Sequence, residues 1–173
     1  MTDKNKTTNA KPASPPAQAT PVAQHPLHIV GIGASAGGLE ALEKFFTHMP
    51  PESGMAFVVI QHLSPDYKSL MVELLSKHTK MHVLRAEDGM LVETNHVYLI
   101  PPKKNMTIFH SHLSLTEKDE LSPVNLPIDI FLRSLADDQG EAAVAIILSG
   151  TGSDGMRGVR AVKEAGGMVM VQD

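Results

Sequence analysis

Two stretches of this chain, Ala56–Ile60 and Ala142–Leu148, are apolar at every position rather than at every second one. A strand of that kind has both faces buried, as inside a parallel sheet covered by helices on each side. Leu27–Ile32 reads as a third such strand. The segments between them carry the other period. Leu39, Leu42, Phe45, Phe46 and Met49 recur at helical spacing until Pro50-Pro51 stops them. Ser64-Pro65 has the form of a helix cap followed by proline in the first turn, with Leu70, Met71, Leu74 and Leu75 as the inward face. Pro127 opens a helix whose Ile128, Phe131, Leu132 and Leu135 face inward, and a further helix carries Met156, Val159 and Val162 before Gly166-Gly167 closes it. Met168–Val171 begins another strand. This alternation predicts an α/β fold: a doubly wound, mainly parallel sheet with helices on both faces.

Between Met81 and Thr116 the rhythm changes to short strands, read as an antiparallel excursion. Met106 and Ile108, then Leu113 and Leu115, alternate as in a small antiparallel hairpin element with one buried face. Residues 1–26 contain no Leu, Ile or Phe and cannot bury enough surface to offset the entropy of ordering. They are expected to form a disordered N-terminal tail before a single domain over 27–173. A net charge of −4 and 4% aromatic residues offer neither a basic surface nor a stacking platform, so nucleic acid is not an expected partner. The absence of cysteine excludes disulfides and a thiol nucleophile. No apolar run approaches the roughly 20 residues that cross a bilayer, and no apolar segment follows the N-terminal lysines as in a secretory signal. The expected location is the cytoplasm, without membrane embedding.

Gly33-Ala34-Ser35-Ala36-Gly37 fits G-x-S-x-G, which lifts a serine onto a sharp strand-to-helix turn. Gly31, Gly33 and Ala36 also fit the dinucleotide pattern G-x-G-x-x-A. That second pattern needs an acidic residue at the end of the second strand to hold ribose hydroxyls. Gln61-His62 stands there instead, and Glu52 precedes the strand.

In a parallel sheet ligands bind beyond the carboxyl ends of the strands. Ser35, His62 and Asp154 follow three separate apolar strands in that position. A nucleophile, an imidazole base and a carboxylate that orients the base are the parts of a serine hydrolase triad, which is recognised by geometry rather than sequence order. The order Ser, His, Asp differs from that of α/β-hydrolases. Plainer roles are open for each residue. Asp154 could cap the helix that follows it, and a carboxylate occupied by backbone amides is less free to hold an imidazole. His28 and His96 begin strands, His48 and His78 lie near helix C-termini, and His25 is in the tail. His110 and His112 form an H-x-H pair that could bind metal, but no third ligand is placed beside it. No metal or cofactor is expected.

Ile32–Gly38, Gln61-His62, Ala86–Gly89, Val97–Pro102 and Leu148–Gly155 together resemble the catalytic domain of the chemotaxis protein-glutamate methylesterases, the CheB family, from about Ile29 to Asp173. The resemblance implies a doubly wound sheet with a small antiparallel element, and Ser35, His62 and Asp154 match the family's triad. It implies hydrolysis of γ-glutamyl methyl esters on the cytoplasmic helices of chemoreceptors, releasing methanol, and also deamidation of receptor glutamines. The family's oxyanion amide falls at Thr151, and the Ala36 amide is a second donor. Ala36 replaces a threonine found in many members. The sequence holds no receiver domain before the catalytic part and stops before the family's last β-α unit, so the start of a fused methylesterase-methyltransferase protein is expected. A catalytically silent module binding receptor or methyltransferase is the alternative.

Overall fold

Successive residues of the apolar strands enter opposite layers. In the computed structural model, which describes residues 27–35, 38–61, 70–118, 125–148 and 153–172, Ala56, Val58 and Ile60 enter one buried cluster, and Phe57 and Val59 enter the other. The strands are β1 (Ile29–Ala34), β2 (Ala56–Gln61), β3 (His82–Arg85), β4 (His96–Leu99), β5 (Lys104–Phe109), β6 (His112–Glu117), β7 (Ala143–Leu148) and β8 (Met168–Val171). The helices are α1 (Gly38–His48), α2 (Met71–Ser76), α3 (Pro127–Gln139) and α4 (Met156–Glu164). Six strands form a sheet in the order β3-β4-β2-β1-β7-β8, parallel throughout. The α/β architecture with helices on both faces is as expected.

One layer is built on α3, α4 and the hairpin, through Ile128, Phe131, Leu132, Leu135, Val162, Met106, Ile108 and Leu113. The other rests on α1 and α2, through Leu42, Phe46, Met71 and Leu75. There Phe45, Phe46 and Phe57 meet edge to face, with centroids 5.2–6.0 Å apart, the arrangement that aromatic quadrupoles favour.

Several local expectations need correction. Gly33 lies inside β1, which runs on to Ala34, rather than in the turn after it. A Cβ at Gly31 would stand 2.6 Å from Leu132 Cδ2, and one at Gly33 would stand 2.6 Å from Ile128 Cγ2. These glycines let α3 settle on the strand, so their spacing reports helix packing and not a phosphate loop. β3 and β4 join the main parallel sheet, which confines the antiparallel excursion to β5 and β6. The connection over 86–95 makes its crossover without a helix and buries Ala86 and Val92 instead. Tyr98 fastens that connection: its hydroxyl donates to the Leu91 carbonyl at 3.2 Å and accepts the Glu93 N–H at 2.9 Å. Leu70, expected to face inward, is 48% exposed because it sits at the very start of its helix, beyond the reach of the sheet. His110 occupies the β5–β6 turn at φ 48° while His112 begins β6, and no cluster of three metal-ligating side chains occurs among the described residues. The tail over 1–26 and the Ser64-Pro65 cap lie outside the described residues.

Candidate active site

Ala34 is level with Gln61 of β2 on one side and with Leu148 of β7 on the other. The three central strands therefore end in step, and Ser35 is the first residue past that edge. It is half-buried, and its carbonyl accepts the N–H of Gly38 at 2.8 Å, which closes the turn into α1. Gly38 is itself buried as the first residue of that helix. His62 follows Gln61 directly in sequence. His62, Ala36 and Thr151 lie outside the described residues.

Asp154 is placed by an exchange between two helices. The cap position of α3 is Leu126, which has no side-chain oxygen to offer the first-turn amides. Asp154 supplies one from across the site: its Oδ2 accepts the Ile128 N–H at 3.1 Å and its Oδ1 accepts the Asp129 N–H at 2.9 Å. Pro127 at the first helical position has no amide to satisfy. The cap position of α4 is Gly155, at φ 102° and equally without a side-chain acceptor. There the service is returned. Asp129 Oδ1 accepts the Gly158 N–H at 2.7 Å. α3 thus receives its capping carboxylate from the turn before α4, and α4 receives its own from the first turn of α3, so each carboxylate sits at the positive end of a helix dipole, where negative charge is stabilised.

The expected cap by Asp154 on the helix after it is therefore corrected to a cap on α3. The two amides take one acceptor site on each of the Asp154 carboxylate oxygens. Charge-assisted bonds of this kind are shorter and stronger than neutral ones, and they fix the direction of the carboxylate.

Two residues escaped the sequence reading. Asp129 is 4% exposed, with Oδ2 buried and unpaired among the described residues, yet in sequence it reads as one more acid in a helix first turn. The signal was indirect: neither Leu126 nor Gly155 can cap its own helix. Gln61, 6% exposed, reads in sequence as a missing acid and as part of a family motif, not as a polar group of the site.

The sequence profile of the family described as CheB methylesterase matches residues 30–173. A protein-glutamate methylesterase/protein-glutamine glutaminase of Xanthomonas oryzae is 38% identical over 149 residues, covering 84% of this chain and 41% of that protein. One from Myxococcus xanthus is 34% identical, covering 92% of this chain and 48% of that protein. An uncharacterised 104.1 kDa protein of Rhodobacter capsulatus is 50% identical over 103 residues, which are 60% of this chain and 11% of that protein. The chain thus spans less than half the length of each of these relatives. Among solved structures, the catalytic domain of the Thermotoga maritima CheB methylesterase superposes with a TM-score of 0.73 at 30% identity, over 83% of this chain and 78% of that one.

Proposed function

Because the chain belongs to the CheB methylesterase family, we propose that residues 27–173 form a serine hydrolase domain that demethylates glutamate methyl esters on the cytoplasmic helices of chemoreceptors. The observation that carries this reading is the common level at which β1, β2 and β7 end, with Ser35 just past it. The relatives' naming as glutaminases supports deamidation of glutamine at the same site.

In the proposed mechanism the Ser35 hydroxyl attacks the ester carbonyl while His62 takes its proton. The tetrahedral oxyanion is bound by the backbone amides of Thr151 and Ala36. Collapse expels methoxide, which leaves as methanol with the proton from His62. Water then attacks the acyl-serine with His62 again as base, releasing the glutamate carboxylate and restoring Ser35. Asp154 holds the imidazole in the tautomer this relay needs. The two amides of α3 fix the direction in which that carboxylate points.

The cytoplasm is the proposed location, and no described helix is long and apolar enough to cross a membrane. A fused methyltransferase is a proposed second partner, supported by the large size of the Rhodobacter relative. The test is methanol release from a methylated receptor fragment. Ser35→Ala is expected to lower the rate at least about a thousandfold. Equal rates with and without Ser35 would overturn the proposal, and receptor binding without turnover in the wild type would instead favour a silent regulatory module.

A further inference from the structure

Beside the catalytic edge, toward β3, lies a cavity of about 340 Å³ including its mouth, bounded by the ends of β2, β3 and β4 and the start of α2. Its apolar lining includes Val59, Met71 and Leu99, and the polar residues that line it are the buried Gln61 and the exposed Arg85. Both ends of the Gln61 amide are buried without a hydrogen-bond partner. Arg85 makes no ion pair among the described residues. A buried amide left unpaired keeps its full desolvation penalty, so such a group calls for an explanation, and a ligand that pairs with it supplies one. The base of the cavity is wide enough for a water molecule, and a water there is exchangeable for an oxygen of a ligand.

The polar complement of this cavity is rich in donors. Gln61 contributes an NH2 group and Arg85 a planar, permanently charged fork that matches a carboxylate. Resting on the esterase reading above, we propose that this cavity is a specificity subsite that takes the carboxylate of an acidic residue flanking the reacting one on the polypeptide substrate. Arg85 pairs with that carboxylate and Gln61 donates to its inner oxygen. Strands lie about 4.8 Å apart, so a cavity over β2 and β4 sits about 5–10 Å to the side of Ser35. On a helical substrate, rising 1.5 Å per residue, that displacement is about four to seven residues, or one to two turns. Demethylation would then favour sites with an acid one or two turns away. Release of the product acid at one site would in turn create a flanking acid for the next.

The test uses two synthetic helical peptides, each with one glutamate methyl ester, that differ only in carrying Glu or Gln four and seven residues from it. Their Kd is read by calorimetry and their KM by methanol release. The wild type is expected to prefer the Glu peptide by about tenfold, Arg85→Ala to lose that preference, and Arg85→Glu to reverse it. A wild type without preference, or a preference that survives Arg85→Ala, overturns the subsite. Gln61→Met gives an independent readout: it is expected to raise Tm, because the amide has no protein partner, and to weaken binding of the Glu peptide. A lowered Tm with undiminished binding removes Gln61 from the subsite. If neither peptide is hydrolysed while the charge preference in Kd holds, the esterase reading fails and the subsite stands.

Discussion

At the scale of single residues, Asp154 adds an observed capping role to its proposed one as triad acid. As the acceptor for two first-turn amides of α3, it contributes stability as an N-cap does, about 1–2 kcal/mol. Asp154→Ala is therefore expected to lower Tm by roughly 2–6 °C as well as to lower turnover, whereas Ser35→Ala lowers turnover with Tm nearly unchanged. Thermal melts and methanol assays on both variants check this contrast. Tyr98 offers a second test. Its burial pushes the phenol above the ordinary value of 10.0, because an anion in that position would lose its hydration. Above pH 10 the unfolded chain releases a proton that the folded chain keeps, so stability falls as pH rises there. Tyr98→Phe is expected to be less stable at neutral pH, having lost the bonds to Leu91 and Glu93, but to show a shallower alkaline decline. Denaturant melts between pH 8 and 11 read both.

At the scale of elements, close approach governs the site. α3 and α4 meet where Gly158 faces Leu132, and a Cβ at Gly158 would stand 2.5 Å from Leu132 Cβ and 3.3 Å from Asp129 Cα. Alanine is the better helix former by about 1 kcal/mol. Here that gain is outweighed, because the atoms met are anchored to backbone and overpacking of this kind costs about 1–3 kcal/mol. Gly158→Ala is expected to destabilise the protein and, by moving α4 off α3, to lower turnover more than a distant change of equal stability cost. Much at this scale was legible in the sequence. The inward faces of α3 and of the β5–β6 hairpin follow directly from their spacing, since each residue's burial is set by local periodicity. What was not legible depends on contacts far apart in sequence. Gly33 looked like part of a turn, and Gly31 with Gly33 like a nucleotide pattern, because their partner, α3, comes about a hundred residues later. The parallel pairing of β3 with β4 was hidden because strands that short carry no signal of direction.

At the scale of the whole molecule, the sheet is shared by both layers, so neither layer can loosen alone. Phe57→Ala in one layer and Phe131→Ala in the other are each expected to cost about 3–5 kcal/mol and to leave a single cooperative transition, seen alike by far-ultraviolet circular dichroism and by tyrosine fluorescence. Separate transitions would mean that the layers unfold independently. For the candidate site, the positions of Ser35 just past β1 and of Asp154 after β7 in the chain were legible in the sequence, since strand ends are local. It could not show that Asp154 is tied to α3 or that Gln61 lies unpaired beside Arg85, because burial and partnership belong to the assembled chain.

The exchange of caps between α3 and α4 has one more consequence. Neither helix can fray at its start without releasing the carboxylate that the other one needs, so the two ends behave as a single latch. The amides of Ile128, Asp129 and Gly158 should then exchange their hydrogens with solvent at one common rate. A tight-binding acyl-serine mimic, by immobilising Asp154, should slow all three together.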